Sequence, residues 1–240
     1  MQEIHRESPD KGYRRIRDDL DKYYHTPVND KRTLRICRGL GIQSVVKHAP
    51  HGCTRAASSP RQLAENVLDR QFYADRPNEK WLTDVTEFHY YTGTNMRKLY
   101  LSAILDLCDR RIVSFVIRDT NDAALVHRTL AQALEGNPGA RPLLHSDRGS
   151  AYTTQIFHDK LAAAGITQSM SRVGKCIDNG PMEGFWGILK RERYYGRRFT
   201  SREQLVKMIQ EYITYYNFHR LQRGLGVRTP MEVHDRLLAA

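Results

Sequence analysis

The stretch WLTDVTEFHYYTGTNMRKLYLSAILDLCDRRIVSFVIR, residues 81–118, decides the fold of this chain. Residues 81–91 and 99–106 alternate or run apolar and are rich in β-branched and aromatic side chains, and residues 111–118 form a third stretch of this kind. The polar residues 92–95 separate the first two stretches and are typical of a turn. The pattern predicts three sequential antiparallel strands.

Residues 119–240 carry helix and strand signals that alternate along the chain. The predicted helices cover residues 121–134, 153–164, 181 onward and 201–217, and the predicted strands cover residues 142–145 and 166–170. Asn121 or Asp122 can cap the first of these helices, Gly165 stops the second and Pro181 suits the first turn of the third. The order βββαβαβα predicts an α/β fold with a five-stranded mixed sheet flanked by helices.

The N-terminal residues have a different sequence pattern from residues 77–240. We therefore divide the chain into three regions. Residues 1–47 contain two short predicted helices, the second of which begins after Asn29 and closes at Gly39. They can form a helix-turn-helix-like DNA reader or, equally, a helical hairpin with solvated charges. Residues 48–76 are interpreted as a linker with one short helix, and residues 77–240 as the main domain with a C-terminal helix and tail.

The cysteines and linker histidines give little support for a zinc or disulfide protein. His48, His51 and Cys53 crowd into the linker without a fourth ligand nearby, so they make a poor tetrahedral set. The four cysteines form no CxxC pair, which argues against a disulfide scaffold and favours a reducing cytoplasm.

The charge of the chain indicates a polyanionic partner. Its 38 Lys and Arg residues outnumber 27 Asp and Glu residues, for a net charge of +11, and nucleic acid is the first candidate. The most apolar stretch, residues 99–108, falls well short of the ~20 residues that a membrane helix needs, so we expect no membrane contact.

Three carboxylates fall at informative places in the predicted fold. Asp84 lies in the first strand, Asp147 follows the fourth, and Glu183 lies in the first turn of a later helix. Ligands of α/β sheets gather at the carboxyl ends of strands, so the topology can bring these groups together. Oxygen ligands without His or Cys select Mg²⁺ or Mn²⁺, and two such ions about 4 Å apart can serve phosphodiester chemistry. The predicted reaction class is phosphoryl transfer on nucleic acid.

The sequences around these carboxylates resemble a known family. The quoted motifs are WLTDVTEF at 81–88, HSDRGSAY at 145–152, SMSRVGKCIDNGPME at 169–183 and WGILKRE at 186–192. They are similar to the integrase-core transposases encoded by the second reading frame of bacterial two-frame insertion sequences. The resemblance continues through residues 105–106, 110–114 and 212–217, and residues 12–16 and 28–35 look like the family's short helix-turn-helix segment.

The resemblance implies a fold and roles for individual residues. It implies a ribonuclease H-like fold, kinship with retroviral integrases, and a metal-binding catalytic triad of Asp84, Asp147 and Glu183 with two divalent ions. Asp84 would bridge both ions, while Asp147 and Glu183 would each complete one. Asp106, Asn179 and Gly180 are expected to be supporting residues. The residues expected to contact DNA are Lys190, Arg148, Arg172, Lys175, Arg191, Arg14, Arg15 and Arg32.

The family resemblance also implies an activity and partners. The expected reaction is metal-dependent cleavage at the ends of an insertion sequence, followed by attack of the freed 3′-hydroxyl on another phosphodiester. The expected partners are end and target DNA, further copies of the chain, and an upstream-frame helix-turn-helix and coiled-coil product joined by fusion, because this chain shows no leucine heptads. Two alternatives remain: a non-catalytic DNA-binding regulator of transposition, and a ribonuclease H-like nuclease that acts only by hydrolysis.

Overall fold

A mixed sheet of five strands organises the computed structural model, which describes residues 1–46, 63–173 and 175–239. The strands are β1 (Lys80–Thr92), β2 (Asn95–Asp106), β3 (Ile112–Arg118), β4 (Leu143–Ser146) and β5 (Thr167–Met170). Their spatial order is β3-β2-β1-β4-β5. The first three strands pair antiparallel, and β4 and β5 continue the sheet in parallel with β1. The predicted mixed sheet is confirmed.

Eight α-helices are present in the described parts of the chain. They are α1 (Gln2–Glu7), α2 (Tyr13–Tyr23), α3 (Asp30–Gly39), α4 (Ala123–Gly136), α5 (Gln155–Ala163), α6 (Gly180–Leu189), α7 (Arg202–Phe218) and α8 (Pro230–Leu238). The side chains of Asn29 and Asp122 accept bonds from the backbone N–H groups of Arg32 and Leu125, as their predicted capping roles require. Helices α1 and α8 were not predicted. None of the described helices is both long and apolar enough to cross a membrane.

The two faces of the sheet carry separate apolar cores. Neighbouring residues of a strand point to opposite faces, so Trp81 packs with α4 and α5, whereas Leu82 packs with α6 and α7. A third and smaller core, built from Ile4, Ile16, Leu20 and Cys37, holds α1, α2 and α3 together.

The segment before β1 runs beside β5 rather than forming a helix. The carbonyl of Glu65 accepts a 3.1 Å bond from the backbone N–H of Met170, and the N–H of Leu68 donates to Oγ of Ser169 at 3.1 Å. The Leu68 side chain is only 2% exposed. The short helix predicted in the linker is therefore wrong for residues 63–76, which form turns and bends and bond to β5 through Glu65 and Leu68. Its remaining part, 48–62, and the candidate ligands His48, His51 and Cys53 lie outside the described residues.

Candidate active site

The register between β1 and β4 brings Asp84 and Asp147 together. Leu82 lies opposite His145 in this parallel pair, and each aspartate follows two residues further along its own chain. Because side chains alternate between faces, Asp84 shares the face of Leu82, which is the face covered by α6. Asp147 stands just beyond the end of β4, at the carboxyl edge where the sequence predicted a site.

Helix α6 brings the third carboxylate to this face. A 3₁₀ turn, Cys176–Asn179, leads into the helix, Pro181 lies in its first turn, and Glu183 follows as an exposed residue. The helix N-terminus favours a negative charge at this position. Three residues later, on nearly the same side of α6, Nε1 of Trp186 donates a 2.9 Å bond to Oδ2 of Asp84. The helix that carries Glu183 is thus hydrogen-bonded through Trp186 to the strand that carries Asp84.

The charges of Asp147 and Glu183 oppose the ionisation of Asp84. Burial raises the pKa of Asp84 to about 7, and the negative charges of Asp147 and Glu183 add to this rise against the bonds from Val85 and Trp186. Burial also raises the pKa of Asp147, while its bond from the N–H of Gly149 acts in the opposite direction. Neighbouring negative charges disfavour ionisation of all the carboxylates at once, and a bound cation would lower that cost.

The donor set fits a hard divalent ion. In the described parts of the chain, no three His, Cys, Asp or Glu side chains form a ready-made cage for a metal. Asp147 and Glu183 are nevertheless near enough for their charges to raise the pKa of Asp84. Carboxylate oxygens are the ligand type that Mg²⁺ and Mn²⁺ prefer. Their mutual repulsion is the electrostatic state that cation binding relieves.

Buried polar contacts hold the loops that carry the carboxylates. His145 lies between Oγ of Ser169 and Oγ of Ser171, at 2.8 and 3.0 Å, and burial lowers its imidazole pKa to about 4. Nε of Arg148 donates to the carbonyl of Ser171 at 2.7 Å. The chain leaving β4 toward Asp147 is therefore fastened to the chain leaving β5.

Asp178 fastens the loop that precedes α6. Its fully buried carboxylate accepts two bonds from Arg172, from Nε and Nη2, both 2.8 Å long, and one of 2.7 Å from Nε of Arg70. These guanidinium groups hold the pKa of Asp178 far below its usual range. The sequence motif contained Asp178 without revealing this role, since one of its partners, Arg70, lies far away along the chain.

The basic residues that were expected to contact DNA differ in exposure and in their bonding partners. The ammonium of Lys190 lies 5.0 Å from the Phe88 ring centroid, and burial lowers its pKa against the charges of Asp84 and Glu87. Lys175, Arg14 and Arg32 are exposed, and Arg191 is half-buried. Arg15 and Arg172, also expected to contact DNA, are bonded to the buried carboxylates of Glu192 and Asp178.

The three supporting residues occupy distinct places. Asn179 donates from Nδ2 to the carbonyl of Thr83 at 3.3 Å, and Gly180 begins α6, so both set where the helix starts relative to β1. Asp106 lies on the opposite face of the sheet, where it accepts bonds from the N–H groups of Asn78 and Cys108 and from Nε1 of Trp81. Asp106 therefore stabilises the base of β1 and is not a fourth carboxylate beside Asp84.

Sequence comparisons identify relatives over most of the chain. The integrase core domain family matches residues 74–176 and, in a second family description, residues 164–230, and an HTH-like domain family matches residues 1–50. An uncharacterized transposase-like protein of Haemophilus influenzae is 40% identical, covering 88% of this chain and 95% of its own length. The putative transposase InsK for insertion sequence element IS150 of Escherichia coli is 38% identical, covering 94% of this chain and 77% of its own length.

Solved structures show the same fold at low sequence identity. The simian T-cell lymphotropic virus intasome contains a chain that is 19% identical, with a TM-score of 0.58 over 90% of this chain and 73% of that one. The HTLV-2 integrase catalytic core domain in complex with magnesium, in its trimeric form, is 20% identical with a TM-score of 0.50, covering 67% and 98% of the two chains. The ribonuclease H-like architecture expected from the sequence is confirmed.

Proposed function

The chain belongs to the integrase-core transposases of bacterial insertion sequences, DNA-processing enzymes of phosphoryl transfer, and we propose that Asp84, Asp147 and Glu183 are its metal-binding catalytic triad. One observation carries this assignment. The β1–β4 register sets Asp84 beside Asp147 on the face of the sheet that α6 covers, and Trp186 ties the helix that bears Glu183 to Asp84.

We assign the reaction as two steps. Water hydrolyses one phosphodiester at an element end and frees a 3′-hydroxyl; this hydroxyl then attacks a second phosphodiester, forming a new P–O bond as the bond from that phosphorus to its 3′-oxygen breaks and a new 3′-hydroxyl leaves. When bound, two Mg²⁺ or Mn²⁺ ions supply Lewis-acid stabilisation of the phosphate and activation of the attacking oxygen. The protein's own contribution is to hold three carboxylates at one edge of a rigid sheet. Lys190, the first residue of the π-helical turn Lys190–Tyr194 that follows α6, carries an ammonium near enough to Asp84 to feel its charge, and we assign it to the approaching phosphate.

Basic side chains outside the triad suit DNA binding. From the core we assign DNA contacts to Lys190, Arg148, Lys175 and Arg191, and from the N-terminal helices to Arg14 and Arg32. We divide the chain into an N-terminal helical unit and an integrase catalytic core, with active assembly as a homo-oligomer joined to an upstream-frame product. The net charge of +11 supports a salt-sensitive affinity that is largely independent of sequence.

The test uses labelled insertion-sequence end DNA, Mn²⁺ and the full chain, with and without its upstream-frame partner fused. Glu183→Gln is the diagnostic variant because it removes the charge and preserves the size of the side chain. Glu203→Gln is the matched control, since Glu203 is also an exposed acidic residue in the first turn of a helix.

The outcomes separate three functions. Joined strands that disappear in Glu183→Gln and persist in Glu203→Gln support the transposase assignment. Binding without nicking in every protein would indicate a regulator, and nicks without joined products would indicate a hydrolytic nuclease. Full strand transfer by Glu183→Gln would exclude this residue from the triad.

A further inference from the structure

A buried carboxylate immediately beyond the catalytic helix receives side chains from two distant parts of the chain. Glu192 lies on a π-helical turn, Lys190–Tyr194, that continues α6 and is closed by a 2.7 Å bond from the N–H of Tyr195 to the carbonyl of Lys190. Its side chain is 7% exposed. It accepts bonds from Nη1 of Arg15 at 2.8 Å, Nη2 of Arg220 at 2.8 Å and the hydroxyl of Tyr212 at 2.9 Å.

The contact with the N-terminal helices is reciprocal. Arg15 bonds both to Glu192 and, at 2.9 Å, to Asp10, while Arg193 donates to Asp10 at 2.6 Å. Two adjacent residues of the π turn, one acidic and one basic, thus meet one basic and one acidic residue of the N-terminal segment. We call these four residues the charge ring. A second connection lies nearby, where Arg223 bonds to Asp18 and Asp30.

The charge ring and the proposed site lie on opposite sides of the helix formed by α6 and the π turn. Over the seven residues from Glu183, at about 100° per residue in α6, Lys190 returns to the side of Glu183. Glu192 lies two residues further, within the π turn, and points away from that side. The contacts agree with this count. Lys190 lies over Phe88 of β1, and Glu192 meets α7 and the N-terminal segment. π turns inside helices occur frequently at functional sites, where they reorient side chains.

We propose that Arg15 and Glu192 are positioning residues, which use the charge ring to fix the π turn and so place Lys190 against β1 for the reaction proposed above. The inference rests on that function. It makes the N-terminal helical unit a structural part of the catalytic machinery. It also gives Arg15 a role different from that of its neighbour Arg14, whose exposed side chain is left for phosphate.

The test compares three equal substitutions in the N-terminal segment. Arg15→Gln opens the charge ring, Arg14→Gln removes an assigned DNA contact, and Arg6→Gln removes an exposed arginine of α1 that belongs to neither set. For each full-length protein we would measure the Kd for end DNA, the single-turnover cleavage rate at saturating DNA in Mn²⁺, and amide hydrogen exchange over residues 190–194.

For Arg15→Gln we expect a cleavage rate lower by on the order of tenfold or more, since small misplacements of positioned groups have large rate effects. Its Kd should stay within about twofold of wild type, and residues 190–194 should exchange faster. Arg14→Gln should weaken DNA binding, and Arg6→Gln should change no measured quantity. Arg15→Lys, which retains the charge, should recover part of the rate. The double variant Arg15→Gln with Glu192→Gln should lower the cleavage rate by less than the product of the two single fold-changes, because both substitutions open the same ring.

Other results would overturn the inference. A weaker Kd at an unchanged saturated rate would make Arg15 an ordinary DNA contact, and unchanged exchange over residues 190–194 would show that the charge ring does not hold the π turn. If wild type fails to cleave, the proposed function fails, and the exchange measurement still decides the positioning role. If Arg15→Gln does not fold, Asp10→Asn opens the ring while leaving Glu192 paired, and the same measurements apply.

Discussion

The indole of Trp186 and the carboxylate of Asp84 are joined by a 2.9 Å hydrogen bond that links α6 to the central strand, β1. The chain has two tryptophans, and the other, Trp81, donates its indole N–H to Asp106 at 3.2 Å on the opposite face of the sheet. The two bonds are chemically alike and differ in location. The chain therefore contains its own control for the effect of an indole donor on the proposed metal site.

Replacing Trp186 with Phe should weaken metal binding more than it weakens the fold. Phenylalanine retains an aromatic ring in the core and removes the donor that orients Asp84. Loss of such an outer partner typically costs 10–100-fold in metal affinity or activity. We would measure the Mn²⁺ concentration needed for half-maximal cleavage together with the thermal midpoint of unfolding.

Trp81→Phe supplies the comparison for this prediction. It removes the bond to Asp106 and should lower the thermal midpoint while leaving the Mn²⁺ requirement unchanged. Equal Mn²⁺ requirements in Trp186→Phe and wild type would show that the indole only fills space.

Acid should destabilise the fold through His145. Its folded-state pKa of about 4 lies below the ordinary value of 6.5, so both states hold a neutral imidazole above pH 6.5. As the pH falls from 6.5 toward 4, His145 binds a proton in the unfolded chain but not in the folded one. The free energy of unfolding therefore falls by about 3 kcal/mol. Urea unfolding at pH 7.0, 5.5 and 4.5 should show a smaller decline for His145→Asn than for wild type. His158→Gln, which alters an exposed imidazole, should decline as wild type does.

Removing the carboxylate of Asp178 should loosen the loop before α6. Asp178→Ala leaves Arg172 and Arg70 without their shared acceptor, and because both arginines are nearly half-exposed we expect a moderate cost of about 2 kcal/mol in the free energy of unfolding. Asp235→Ala, at an exposed position of α8, should change stability by less than about 0.5 kcal/mol. Urea unfolding measures both variants, and similar values would show that the loop does not depend on Asp178.

The outward side of α3 should contribute to the salt dependence of DNA binding. Lys31, Arg32 and Arg35 are all exposed there. If each neutralises one phosphate, converting all three to Gln should reduce the slope of log affinity against log salt by about 2 to 3. The control converts Arg128, Arg141 and Lys160 to Gln, three exposed residues on the α4 and α5 side of the sheet. Equal slopes in the two triple variants would indicate nonspecific charge effects alone.

The strand pattern and the cap residues were readable from the sequence because their causes are local. Alternation over residues 81–118 specified three strands, and the predicted caps Asn29 and Asp122 are present. The motif around Glu183 placed it in the first turn of α6. The bond from Trp186 to Asp84 was not predicted. Trp186 follows Glu183 by three residues on a helix, and this spacing indicates that the two side chains lie on the same side of that helix.

Features that depend on distant partners could not be read in this way. The bonds from Arg15 to Glu192 and from Arg70 to Asp178 were not predicted, since each joins residues more than 100 positions apart in the sequence. The linker residues 63–76 lacked helix because Glu65 and Leu68 bond to β5, a neighbour set by the assembled sheet. Helix α8 begins with a capping box at Thr229 and Glu232, a local signal that the sequence interpretation overlooked.

The pairing of Glu65 with Met170 has a consequence for how molecules of this protein can meet. An edge strand with free backbone groups is a template on which a second molecule can extend the sheet. Here the chain lays its own preceding segment against β5 and buries Leu68 there. Because this segment occupies part of the β5 edge, a second molecule would have to displace it in order to extend the sheet there.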